Sequence, residues 1–239
     1  MRIAITRLVG KEKDDASRCK SFGHECYPVS PLRAEIREDL ISSFVKSVEA
    51  NEYDCLFFTS ALPAKIIAPR LSRWPRVIAI GPRTALTLGH FGIDAETLPS
   101  FYSRDFVPYL GSWIRGKRIG IPRADVPNPN LIEGIREAGG IPEEVRVYAL
   151  IPTEDLLDLS SAEAILFTSA MSFSTAVYDD DIPVMKIAIG ESTGAVMRGR
   201  GVIPDVTGDG SLEGTLQELN RHLAARNKPG GLKVPWACR

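Results

Sequence analysis

One stretch of this chain is written twice. Leu56–Ala61 reads LFFTSA, and 109 residues later Ile165–Ala170 reads ILFTSA. Ile78–Ala85, IAIGPRTA, returns at the same spacing as IAIGESTGA at Ile187–Ala195, in one register through Thr193, and Gly92 is likewise matched by Gly201. A third pair, RIAITR at Arg2–Arg7 and RIGIPR at Arg118–Arg123, is spaced by 116. Several motifs at one offset mean two related halves with a small length difference in the early loops. A chain of 239 residues has room for one large domain or two small ones, and the repeat favours two.

Each half alternates short apolar runs with helical patterns. In the first, Ile3–Thr6 reads as a buried strand, 14–22 as a helix ending at Gly23, and Glu25–Val29 as an extended segment stopped by Pro28 and Pro31. Leu40–Val48 is apolar at helical spacing; Cys55–Thr59 and Val77–Ile80 read as strands, and 63–71, 84–91 and 106–114 as helices. The second half gives strands at 119–121, 165–168 and 187–189, an extended segment at 145–151, and helices at 131–138 and 212–225. Strand runs that are apolar on both faces, alternating with helices, indicate parallel sheets covered by helices. The tail 226–239, with Pro229-Gly230-Gly231 and no periodicity, is expected to be poorly ordered.

Composition removes several function classes. Hydrophobic residues at 44% and charged ones at 25% supply an ordinary globular core. Lys and Arg number 29 against 30 Asp and Glu, which disfavours a nucleic-acid binder dependent on phosphate contacts. No apolar run approaches the roughly 18 residues needed to span a bilayer, and the first residues form too short an apolar stretch for a secretory signal. The expected location is the cytoplasm. Cys19, Cys26, Cys55 and Cys238 show no C-x-x-C spacing, and His24, His90 and His222 are scattered, so no metal site is expected. A Cys–His nucleophile pair is neither indicated nor removed by spacing.

Ligands of open parallel sheets gather where strand carboxyl ends meet helix starts. Polar residues stand there in both halves: Thr6-Arg7, Thr59-Ser60 and Gly81-Pro82-Arg83-Thr84, then Pro122-Arg123, Thr168-Ser169 and Gly190-Glu191-Ser192-Thr193. Hydroxyls and backbone N–H groups at these points suit an anion, although Ser and Thr are also the preferred helix caps. Gly81 and Gly190 would allow a ligand or helix close to the backbone. No G-x-G-x-x-G or P-loop motif is present, so a nucleotide cofactor is unsupported. The cleft so defined suits a ligand with several carboxylates or phosphates, with Arg7, Arg83 and Arg123 as cations. Tyr148, in an extended segment, reads either as a half-buried strand tyrosine or as a proton donor in a cleft.

In order, these motifs resemble the uroporphyrinogen-III synthase family: Ile5-Thr6-Arg7, Gly23 to Pro28, Phe58-Thr59-Ser60, Gly81 to Ala85, Val147-Tyr148, Phe167 to Ser169 and Gly190 to Thr193. The resemblance covers roughly residues 1–225. It implies an α/β fold of two small parallel-sheet, flavodoxin-like domains joined by a two-stranded extended linker. The first domain would combine 1–33 with 152–225, the second would span 34–146, and 25–29 and 145–151 would connect them. It further implies cofactor-free closure of hydroxymethylbilane, a linear tetrapyrrole with eight carboxylates, in the cleft between the domains. Water is lost to give an azafulvene-type cation, and the ring closes through a spiro intermediate with the fourth pyrrole inverted, on the route to heme and siroheme. Tyr148 would assist departure of the hydroxyl. Arg7, Thr59, Ser60, Gly81, Arg83, Thr84, Ser103, Arg123, Thr168, Ser169, Gly190 and Thr193 would hold substrate. A monomer without metal or organic cofactor, in transient contact with the preceding pathway enzyme, is the implied state.

Two departures stand out. Glu191 would repel a carboxylate if it faced the cleft, unless it points to solvent or supports the helix start. Pro122-Arg123 lacks the hydroxyl of Thr6-Arg7, so the halves need not share ligand contacts equally. The competing class is a non-catalytic two-domain receptor for a small polycarboxylate or phosphate. A flavodoxin-like or receiver-domain regulator would need an acidic cluster or flavin loop that the sequence lacks.

Overall fold

A computed structural model describes residues 1–8 and 15–226, which separate into two compact units, 1–34 with the chain from 151 onward, and 35–150. The chain opens the first unit with β1 (Arg2–Leu8), α1 (Asp15–Ser21) and β2 (Glu25–Ile36). It then builds the second: α2 (Glu38–Glu49), β3 (Cys55–Phe58), α3 (Ala61–Ile67), β4 (Arg76–Ala79), α4 (Pro82–Gly89), β5 (Glu96–Thr97), α5 (Phe106–Leu110), β6 (Arg118–Ala124), α6 (Pro129–Glu137) and β7 (Ile141–Pro152). The first is completed by β8 (Ala164–Phe167), α7 (Ala170–Ser174), β9 (Met185–Ala188), α8 (Glu191–Gly199), β10 (Val206–Thr207) and α9 (Leu212–Arg226). The tail beyond 226 lies outside the described residues.

The first unit's strands run β10-β9-β8-β1-β2, all parallel. Its core follows the strand period of two. Ile3 and Ile5 of β1 pack with Cys19, Leu212, Leu216 and Leu219 on one face, while Ala4 packs with Phe167, Phe173 and Met197 on the other. All four residues of β8, and all four of β3, are buried, as continuous apolar strands between helical layers should be.

The second unit's sheet runs β7-β6-β3-β4-β5, again parallel. Strand for strand this is the same sheet, in the flavodoxin order 2-1-3-4-5. The chain, however, enters the second unit at the third strand position and supplies the first two last. Each compact unit therefore takes strand positions one and two from one sequence repeat and positions three to five from the other. That arrangement explains the two offsets: 109 links β3 and β4 to β8 and β9, and 116 links β1 to β6.

Several elements differ from the sequence expectation. β2 passes through both prolines to Ile36, because Pro28 sits opposite Ile5 in a parallel ladder and a strand tolerates proline where its N–H is not needed. β7 begins four residues earlier than expected, pairing with β6 from Ile141 onward. The helix expected over 106–114 ends at Leu110 and continues as a 3-10 turn, Gly111–Ile114, with Gly111 at φ 53°. The two-residue edge strands β5 and β10 are too short to leave a periodic signal. The spacing of the cysteines did not indicate a bond between any two of them, and Cys238 lies outside the described residues. Cys19 and Cys26 form a disulfide with Cα atoms 5.9 Å apart, because the turn after α1 brings the helix end back beside the start of β2.

Candidate functional site

The strand-order reversal in each unit falls between positions one and three: β1 beside β8 in the first, β6 beside β3 in the second. Ligands of this sheet type bind outside the carboxyl ends of such a strand pair. The two points are related by the repeat, yet their chemistry differs.

In the first unit the hydroxyls are spent on one another. Thr6, at 0% exposure, places its Oγ1 within 3.0 Å of Ser172 Oγ and 3.2 Å of the Leu166 carbonyl, and accepts the Thr168 N–H at 2.9 Å. Thr168 donates its own hydroxyl to the Thr6 carbonyl at 2.6 Å. Ser169 caps α7: its Oγ accepts the Ser172 N–H at 3.0 Å, and its N–H donates to Ser172 Oγ at 3.0 Å. This reciprocal capping box stitches β1, β8 and α7 together. Thr168 and Ser169, expected to hold substrate, are thus engaged in the fold. Ser172, which sequence reasoning passed over, is the hub.

In the second unit the repeat replaces two of these four residues by proline. Pro122 stands where Thr6 does, and Pro63 where Ser172 does. The interlocking network cannot form, and Thr59 and Ser60 are left half-buried at the end of β3 without it. Ser60 is the N-cap of α3 but makes no capping hydrogen bond. The Ser60 hydroxyl and the Arg123 guanidinium, at the end of β6, both lie near enough to the phenol of Tyr148, from β7, to lower its pKa. The structure thus brings together three expected residues, Ser60, Arg123 and Tyr148, at the reversal point of one unit.

Tyr148 is 4% exposed. Burial pushes its phenol above the usual value, opposed by the Ser60 hydrogen bond and the Arg123 charge. The phenol is therefore protonated at neutral pH, with two groups placed to stabilise its anion. Arg123 is itself 8% exposed, with Nη1 2.9 Å from Glu144 Oε1 and Nη2 donating to the Val126 carbonyl at 2.5 Å. Its Nε is buried without a hydrogen-bond partner.

The remaining expected residues are scattered in role. Arg7 is bound by Asp15 through Nε at 2.5 Å and Nη2 at 3.0 Å, and Asp15 also meets Arg18 at 3.4 Å. Arg7 and Arg123, expected to hold substrate, are each paired with a carboxylate of their own unit. Arg83 lies exposed on the first turn of α4. Thr84 and Thr193, at 4% and 1% exposure, are enclosed at the third positions of α4 and α8. Gly81 and Gly190 have extended backbones, and close approach accounts for them. A Cβ at Gly190 would meet the Gly210 backbone at 3.1 Å, and one at Gly81 the Phe101 ring at 3.2 Å. The approaching group is protein in both cases. Ser103 accepts a hydrogen bond from Asn128 Nδ2 at 3.2 Å. Glu191 is 76% exposed and paired with Arg198, so its charge points to solvent.

Cys55 is fully buried, and burial raises its thiol to about 12, which removes it as a nucleophile. Among the described residues no group of three His, Cys, Asp or Glu side chains is arranged to hold a metal ion, and no helix is long and apolar enough to cross a membrane.

Fold and site together define a class: paired flavodoxin-like α/β units with a tyrosine, a serine and a buried arginine at one strand-order reversal. The family model described as uroporphyrinogen-III synthase HemD matches residues 13–178, and the chain belongs to this family, whose members are lyase-type enzymes acting on a small tetrapyrrole substrate. Among solved structures, uroporphyrinogen-III synthetase from Helicobacter pylori superposes with a TM-score of 0.61 at 16% identity, over 93% of this chain and 100% of that one. A mutant uroporphyrinogen III synthase from Thermus thermophilus gives 0.57 at 18% identity, over 94% and 99%. At such identities these two share the fold. No curated protein sequence matches the chain.

Proposed function

We propose that this chain is a hydro-lyase that closes hydroxymethylbilane to uroporphyrinogen III with inversion of the fourth pyrrole ring, and that Tyr148 is its proton donor. Family membership supports the reaction. The single observation that carries the residue assignment is the buried, protonated Tyr148 phenol with Ser60 and Arg123 beside it at the β6–β3 reversal.

The Tyr148 proton passes to the departing hydroxyl, the C–O bond breaks, and water leaves an azafulvene-type cation. The resulting phenolate is held by the Ser60 hydroxyl and the Arg123 charge until it recovers a proton from the closing ring. No net proton is consumed. The remainder of the task is conformational, because spontaneous closure proceeds without inversion; holding the fourth ring for attack at its substituted carbon is a matter of positioning. Thr59, half-buried beside Ser60, and Arg83, exposed on the first turn of α4, are the substrate-facing candidates. A cytoplasmic monomer in transient contact with the enzyme that makes the bilane is part of the same proposal. A pure binding module has no need of a protonated phenol flanked by two anion-stabilising groups, which favours catalysis over simple capture.

The test is direct. Purified protein is given hydroxymethylbilane, and the oxidised products are resolved into type I and type III isomers. The type III isomer should dominate; type I alone, at the spontaneous rate, would overturn the assignment.

A further inference from the structure

We propose that Ser60 is a positioning residue for Tyr148, and that Pro63 is what releases it for that task. The inference rests on the reading of Tyr148 as proton donor, and its own content comes from two helix starts that repeat one another.

Ser60 and Ser169 occupy the same position in the two repeats, 109 residues apart, and cap α3 and α7 with almost the same backbone: φ −165° and ψ 164° against φ −163° and ψ 159°. Backbone geometry therefore does not explain why only Ser169 caps its helix. The difference lies three residues on. In α7 that residue is Ser172, whose N–H donates to Ser169 Oγ and whose hydroxyl accepts the Ser169 N–H, both at 3.0 Å. In α3 it is Pro63, which has neither an N–H nor a hydroxyl. One substitution removes both arms of the capping box. Ser60 makes no capping bond, and it lies near enough to Tyr148 to act on its phenol.

The chemistry gained is specific. A serine that caps a helix uses its lone pairs to accept an N–H, and its hydroxyl is oriented by that bond. Freed of the cap, Ser60 can turn its O–H toward the Tyr148 oxygen and donate to it as the phenol gives up its proton. Arg123 acts on the same oxygen from β6, itself fixed by Glu144 and the Val126 carbonyl. The first unit, with Ser172 in place, has no such spare hydroxyl, so the two reversal points are chemically unequal although their sheets match. Proline at 63 thus exchanges a helix cap for a hydrogen-bond donor at the reacting group.

The experiment uses the full chain, hydroxymethylbilane and the type III yield. Ser60→Ala should lower kcat about tenfold, the scale of one lost hydrogen bond to a charge-bearing group, with KM and the thermal midpoint little changed; Ser60→Thr should restore turnover. Pro63→Ser rebuilds the capping arrangement of α7, so it should hold or raise the thermal midpoint while kcat falls toward the Ser60→Ala value. In the Ser60→Ala background it should cost nothing more. A purely structural serine would instead lose stability and activity together. Wild-type kcat in Ser60→Ala, or an equal loss on Pro63→Ser with and without Ser60, overturns the proposal. Tyr148→Phe is the control that separates the two ideas: undiminished turnover there rejects the donor reading itself, and the positioning role with it.

Discussion

At the scale of single residues, the informative contrast is between arginines that look alike in sequence. Arg7 and Arg123 end equivalent strands, and both are paired with carboxylates of their own unit, Asp15 and Glu144. For Arg123 the pair is largely enclosed, with side chains 9% and 19% exposed. Removing one partner of a buried pair leaves an uncompensated charge, so Glu144→Leu should destabilise the fold by about 3 kcal/mol, read from denaturant midpoints. A cost below about 0.5 kcal/mol, the range of an exposed pair, would show that water reaches the guanidinium. Tyr148 makes the opposite prediction. Tyr148→Phe keeps the ring and its packing but deletes the transferable proton, so turnover should fall by about a hundredfold with the fold intact. Steady-state kinetics beside a thermal melt separates the two effects. The motif Val147-Tyr148 made this residue visible in the sequence. Ser60 and Arg123 were visible as strand-end residues expected to hold substrate but not as neighbours of Tyr148, because 88 and 25 positions of chain separate them from it.

At the scale of elements, repeated sequence has produced unequal helix starts. Ser169 is a full capping residue and Ser60 is not. Ser169→Ala should therefore cost about 1 kcal/mol, and Ser60→Ala only a few tenths, in matched urea titrations; equal costs would mean that Ser60 caps α3 after all. The seam between the end of α1 and α9 carries a pH dependence. His24 is 7% exposed with Nε2 2.9 Å from Asn220 Oδ1, and burial holds its pKa below the ordinary histidine value. Above about pH 6.5 the imidazole is neutral in both folded and unfolded chains. As pH falls through that value the unfolded chain takes up the proton first, so stability declines until the lower folded pKa is passed. His24→Gln should flatten this slope just below about pH 6.5; an unchanged slope would assign it to another group. Strands β1, β3, β4, β8 and β9 were legible as apolar runs because both of their faces are buried. β5 and β10, two residues each, were not, since their existence depends on a neighbouring strand to pair with. The same holds for the Cys19–Cys26 bond, which depends on where the turn after α1 returns the chain.

At the scale of the whole molecule, the repeat boundary and the unit boundary do not coincide. A fragment covering 35–150 contains all five strands of one sheet and its own core. It should fold cooperatively by itself, giving a single thermal transition and dispersed amide resonances. A fragment covering 1–115, one complete sequence repeat, takes two strand positions from one unit and three from the other, and should remain unfolded. Folding of the second fragment but not the first would mean that the repeats, rather than the compact units, are the cooperative bodies. The amino-acid sequence by itself determined the repeat, the parallel α/β class, the buried strands and the family to which the chain belongs. All of these are written in local apolar periodicity and in short motifs of fixed spacing. The family resemblance implied the discontinuous partition, and the tertiary structure supplied the strand order and register of each sheet. The tertiary structure alone decided that the hydroxyls of one reversal point satisfy one another, and that Ser60 of the other is left uncapped near Tyr148. Those outcomes depend on hydrogen-bond partners brought together from distant parts of the chain, and no local pattern records them.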